Sequence, residues 1–212
     1  EQIADGAPVT VTASGLLTMT GFLSEQVGSL SGSGNFSCCN ISMPVFCVGD
    51  CVVLMVGGNN ASTTFSGTIT HGLGTVVEKR GTGTWTLSGD AHGEMQVTQG
   101  TLKLASANLD GPVEVRGSGT LAGAGTVLSQ LSAEDDGVIS PGMSAGTFVV
   151  GGLFQLKPNS VYLVELNGPN PGIDYDLVTA LNVQLTGGAL VLHANFPASP
   201  GQQFIIINNT SA

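Results

Sequence analysis

"RGTGTWTLSGDAHGEMQVTQGTLKL", residues 80–104, strings glycine and threonine between short apolar patches. The apolar side chains fall at alternate positions: Trp85 and Leu87, Met95 and Val97, Leu102 and Leu104. A period of two sends alternate side chains to opposite faces of an extended strand. Each run then stops at Gly, Ser or Asp, residues that favour turns. The stretch holds almost nothing that could catalyse a reaction, so what it does is read from architecture.

The same grammar continues on both sides. "VTVTASGLLTMTG" (9–21), "PVEVRGSGTLAG" (112–123), "GTFVVGGLFQL" (146–156), "VYLVEL" (161–166), "NVQLTGGALVLH" (182–193) and "QQFIIIN" (202–208) all alternate and all stop at turn formers. No stretch offers ten or more helix formers with spaced apolar positions. The chain is therefore all-β, and without connecting helices it is not an α/β sheet. Two architectures compete, a β-sandwich and a solenoid. Loose copies of one phrase at 28–36, 80–89, 99–105 and 116–127 favour a solenoid with coils of roughly 20 residues. Small residues at the corners let coils approach to the ~4.8 Å of neighbouring strands, so about ten coils would build a rod of order 50 Å.

Bulk properties limit the function classes. The chain has 212 residues, 42% of them hydrophobic, and its 32 glycines show no three-residue period, which excludes collagen. Five basic against fifteen acidic residues leave a net charge of -10, which repels phosphate backbones and anionic membranes. The longest apolar run, "CVVLMV" (51–56), is too short to span a bilayer, and "EQIADGAPV" lacks the basic and apolar blocks of a signal peptide. Secretion would therefore require a signal already removed.

Residues 56–105, "VGGNNASTTFSGTITHGLGTVVEKRGTGTWTLSGDAHGEMQVTQGTLKLA", resemble the autotransporter-associated β-strand repeat of bacterial surface proteins. The resemblance continues through "GPVEVRGSGTLAGAGTV" (111–127), "GVISPGMSAGTFVVGGLFQL" (137–156), "VYLVELNGPNPGIDYDLVTA" (161–180) and "NVQLTGGALVLHANFPASPGQQFIIINN" (182–209). It implies a right-handed parallel β-solenoid at the cell surface, usually the stalk of a longer adhesin or passenger, with no active site and no cofactor. For "DYD" it implies a structural role, Tyr175 covering the coil while Asp174 and Asp176 cap backbone amides. Those two carboxylates are also the weak Ca²⁺ candidates, since two carboxylates and a few carbonyls can supply oxygen ligands.

The expected organisation is one structural domain with N-terminal coils at 1–36, a cysteine-rich insertion at 37–55 and repeat coils at 56–212. The insertion departs from the family. Cys38, Cys39, Cys47 and Cys51 crowd into "SCCNISMPVFCVGDC" (37–51), and an even count in a Gly-rich chain reads as two disulfides in one of three pairings. A four-thiolate zinc site competes, but its Cys-x-x-Cys pairs are missing.

Other chemistries find little support in the sequence. A polysaccharide lyase or hydrolase would need clustered carboxylates near a basic residue, and Asp135 and Asp136 in "AEDDG" have no Arg or Lys beside them in sequence. His71, His92 and His193 lie too far apart to suggest a metal site or triad. Trp85 reads as core or wall rather than a sugar platform. Thr-x-Thr pairs could form an ice-binding face, but they stop after Thr86. The expected partners are other copies, the neighbouring coils of a longer chain, or surface glycans. For self-association the residues are Phe204, Ile205, Ile206 and Ile207, an apolar terminal strand with no Pro, Lys or helical cap to blunt its edge. Its expected partner is the first coil, around "VTVTASGLLTMTG", of the next copy.

Overall fold

The computed structural model describes residues 3–19, 24–38, 53–71, 75–142 and 144–211, with the backbone alone for Cys38 and His71. Among these there is no helix, and the twenty strands join in one sheet whose inter-strand pairings are parallel. The chain is a parallel β-solenoid. Each coil contributes up to three short strands separated by corners, and strands stack on their counterparts in the next coil.

Three faces result. Face A stacks Pro8–Val11, Ser29–Gly32, Thr63–Phe65, Thr84–Leu87, residues 101–104, residues 120–123, Val138–Pro141, Val161–Leu166 and Ala189–Ala194. Face B runs from Leu16–Thr18 to Ile207–Asn209 through Asn35–Cys38, Ile69–His71 and residues 147–150 and 177–180. Face C runs from Glu25–Val27 through Val53–Val56, Val76–Lys79, residues 94–97, 113–115, Leu131–Ala133 and 153–156 to 182–185. Nine levels on face A make a rod of roughly 40 Å at the ~4.8 Å strand spacing.

Coil length varies more than a uniform 20-residue repeat. Side chains that meet across one coil step are 21 residues apart at Thr10 and Ser31, 18 at His92 and Asp110, and 29 at Gln155 and Gln184. The longest step, 33 residues between Asn35 and Thr68, contains the cysteine-rich stretch, placed between a face B strand and a face C strand. The later coils grow between faces A and B, at 142–146, 167–176 and 195–206. Strand length on the faces is set by packing, so extra residues collect at corners.

The interior is filled by columns of like side chains. On face A, Trp85, Leu102, Leu121, Ile139 and Tyr162 stack rung upon rung, all buried. On face C, Leu54, Val77, Met95, Val113, Leu131 and Phe154 do the same. Each contributes about 1.5–3 kcal/mol of burial. Corner glycines permit the close stacking: a Cβ at Gly67 would run into the Gly34 carbonyl oxygen, and one at Gly89 into that of Gly67.

Candidate functional site

The two ends of the rod differ. At the C-terminal end, Ala189–Ala194 pairs only with Val161–Leu166, and Ile207–Asn209 only with residues 178–180, among the described residues. Face C finishes one coil earlier, at 182–185. The inward-facing Leu190 and Leu185 are therefore left 55% and 58% exposed. They line an apolar depression of ≈510 Å³ together with Leu156, Tyr162, Ile206 and Ile207. Burial raises the Tyr162 phenol's pKa, and its hydroxyl donates to the Ile206 carbonyl at 2.7 Å.

The expected terminal strand is displaced. Phe204, Ile205 and Ile206 are not strand; the strand is Ile207–Asn209. Phe204 stacks edge-on to Tyr175 at 5.3 Å, and Phe196 to Phe204 at 5.7 Å, so this corner folds over the one beneath it. Ile205 alone of the four points out, 61% exposed. The longer free edge belongs to Ala189–Ala194 on face A.

The N-terminal end is more closed. Val11, Met19 and Val27 are buried, and residues 3–7 lie beneath the first face C strand: Ile3 N–H donates to Glu25 Oε1 at 2.6 Å, and Gly28 N–H to the Ala7 carbonyl at 2.8 Å. Ile3, Val9 and Leu17 remain half-buried.

The outside of face C carries a ladder of polar groups. Glu78, Gln96, Glu114 and Ser132 stand in register on successive rungs. Arg80 pairs with Glu78 at 2.8 Å, Thr98 donates to Glu78 at 2.8 Å, Arg116 donates to Gln96 at 3.0 Å, and Lys157 pairs with Glu134 at 2.7 Å. The carboxyl groups of Glu114 and Glu134 influence one another, and their pKa values move in opposite directions. Burial, then Glu134, raises the Glu114 pKa; Lys157, then the hydrogen bond from Glu114, lowers that of Glu134. Glu134 is thus the more acidic member of the two and Glu114 the less acidic. Lys157 also feels Asp135, so the "AEDDG" turn does face a lysine, supplied by the next coil. Asp135 and Asp136 hold positive φ angles of 46° and 70° in that turn.

Sequence reading passed over Lys79. It stands in an apolar column between Val56 and Val97, 1% exposed. Its Nζ donates to the carbonyls of Arg80 at 2.6 Å, Gly81 at 2.7 Å and Gln99 at 3.1 Å. Burial pulls its pKa down to about 8. The corner turns carbonyls inward, and the ammonium satisfies them.

No family model, curated protein or solved structure matches this chain.

The remaining predicted residues fall as follows. Asp176 is buried and accepts from Gly146 N–H and Glu165 N–H, both at 2.9 Å; burial raises its pKa to about 6. Asp174 accepts from Asn170 N–H at 3.0 Å and Asn170 Nδ2 at 2.6 Å. The two carboxylates thus bind different backbone segments. Trp85 is core: it sits over Thr63, and Nε1–H reaches the Leu30 carbonyl at 3.1 Å. His92 Nδ1 lies 2.6 Å from Asp110 Oδ2 on the outside of face B, an exposed pair, and His193 is also exposed. The Thr pairs split between faces, Thr84 and Thr86 on A and Thr70 on B. Cys38 closes a face B strand, while Cys39, Cys47 and Cys51 lie outside the described residues.

Proposed function

We propose that this chain is a non-enzymatic structural or adhesive β-solenoid of a bacterial cell surface, the role implied by its resemblance to autotransporter-associated repeats. The observation that carries the reading is the continuous column packing. The rod's cross-section is filled with Trp, Leu, Ile, Val and Phe from the first coil to the eighth, and the apolar depression lies at the open end, where further coils or another copy would sit. Such a body transmits length and presents its sides. Surface glycans fit the hydrogen-bonding ladder of face C as adhesion partners, with an acidic rod disfavouring polyanions. Labelling source cells with antibodies raised to the 212-residue chain should decorate the outer surface, and label confined to the cytosol overturns the reading.

One observation favours a second reading, a polysaccharide-acting enzyme. Glu114 and Glu134 have pKa values moved in opposite directions, as an acid–base pair requires. Release of reducing or unsaturated ends from a glycan panel, abolished by Glu114→Gln, would establish it.

A further inference from the structure

The chain holds one Asn-Gly pair, Asn167 and Gly168, and it opens the corner at 167–176 between faces A and B. An asparagine amide can be attacked by the backbone nitrogen of the residue that follows it. Glycine, with no Cβ and a freely turning backbone, hinders that attack least.

The backbone separates Asn167 from the other described asparagines. After Asn35, Asn59, Asn60, Asn159 and Asn209 the next N–H is spent on a hydrogen bond. Asn108, Asn182 and Asn208 lie within strands, and Asn170 precedes a proline, which has no N–H. Asn195 precedes Phe196, whose ring stacks on Phe204 at 5.7 Å. Gly168 N–H, by contrast, donates to none of the described residues. Packing also keeps glycine there. A Cβ at 168 would come within 2.8 Å of Asp174 Oδ2, and that carboxylate is held in place by Asn170 N–H and Nδ2.

The amide of Asn167 is set to receive the attack. Its own N–H donates to the Asp174 carbonyl at 2.8 Å, which anchors the residue, and its Oδ1 accepts from Asn195 Nδ2 of the next coil at 2.8 Å. Negative charge that builds on Oδ1 as Cγ is attacked therefore meets a donor already in position. Asn167 is exposed, so base and water reach it.

We propose that Asn167 is a self-modification site, its side-chain amide displaced by the Gly168 nitrogen through a cyclic imide that reopens as aspartate or isoaspartate. Gly168 N gives its proton to base and bonds to Cγ; the Cγ–Nδ2 bond breaks, and Nδ2 takes up a proton and leaves as ammonia. One water then opens the imide. Attack at Cγ gives aspartate; attack at the main-chain carbonyl gives isoaspartate, with the main chain running through Cβ and Cγ. The balance needs only base and water. The product adds a negative charge to the corner and, as isoaspartate, one more main-chain atom, while the buried Leu166 beside it belongs to the face A column.

The test incubates the folded 212-residue chain at neutral and mildly alkaline pH and maps its peptides by mass spectrometry, with isoaspartate read separately by enzymatic methylation. The gain of one mass unit that marks exchange of NH2 for OH should appear at Asn167 before any other asparagine, and faster as pH rises. Asn167→Gln should abolish the methylation signal. Asn195→Ala should slow the folded chain severalfold and leave the rate in urea unchanged, because the donor to Oδ1 is in place only when the coils are stacked. Three results would overturn the proposal: a folded chain that converts Asn167 an order of magnitude more slowly than the same chain in urea, methylation that survives Asn167→Gln, or a folded rate untouched by Asn195→Ala.

Discussion

Replacing Lys79 by Met tests whether an interior ammonium holds a corner together. The substitution keeps an unbranched chain between Val56 and Val97 and removes only the donor to the carbonyls of Arg80, Gly81 and Gln99. Hydrogen bonds to a charged group contribute about 1.5–3 kcal/mol each, so three amount to ~5–9 kcal/mol. Against this stands the cost of burying the ammonium. A fall in pKa from 10.5 to about 8 corresponds to ~3 kcal/mol against the charged form, and methionine recovers ~1 kcal/mol of apolar burial. The net expectation is a loss of about 1–5 kcal/mol at pH 7, or ~2–20 °C in Tm for a chain of this size. Thermal melts followed by circular dichroism measure it. The pH dependence adds an independent signature. Lys79 has a lower pKa folded than unfolded, so between pH 8 and 10.5 the unfolded chain binds more protons and the native state gains stability as pH rises. The gap between unmodified protein and variant should widen across that window by up to ~3 kcal/mol. A variant as stable as the unmodified chain would refute the reasoning, showing that the corner carbonyls need no ammonium.

Asp176 gives the opposite slope. Its folded pKa of about 6 lies above the 3.8 of a free carboxyl, so its contribution is present below pH 3.8 and lost as pH rises through 6. Melts between pH 4 and 7 should show this decline in the unmodified protein and not in Asp176→Asn; parallel curves would contradict it. Trp85 is the one tryptophan of the chain, so its emission should be blue-shifted and inaccessible to iodide. Trp85→Phe should cost about 2–3 kcal/mol in denaturant titration through the lost Leu30 hydrogen bond and the space left behind. Gly67→Ala should destabilise by ~2 kcal/mol or more, because its Cβ meets the Gly34 backbone rather than a side chain that can move; a neutral outcome would mean the corners are looser than their stacking implies.

Strand positions were legible because alternation is local: Trp85, Met95 and Leu102 announce their inward faces within a few residues. Stacking order is a matter of corner length, and corners carry no periodicity. A repeat of about 20 residues was visible, yet the 18-residue step at His92 and the 29-residue step at Gln155 were not. For the same reason Asp135 looked remote from any lysine, although Lys157 of the next coil stands beside its turn. Lys79 drew no notice in the sequence, because nothing local marks a lysine that turns inward to collect carbonyls. "FIII" read as a strand from the alternation of "QQFIIIN" and its β propensity. The aromatic cluster of Tyr175, Phe196 and Phe204 instead claims its first residues for a corner, leaving Ile207 to begin the strand.

Unequal coils give the rod a graded response to being pulled apart by its ends. Each coil touches chiefly its two neighbours, so tension peels the stack one turn at a time, and each release lengthens the tether by the contour of that turn. At ~3.3–3.6 Å per residue, an 18-residue turn from the middle yields about 60 Å and a 29-residue turn near the C-terminal end about 100 Å. A force–extension trace begun at the C-terminal end would show long strides first, shorter ones in the middle, and its longest, about 110–120 Å, at the 33-residue turn beyond.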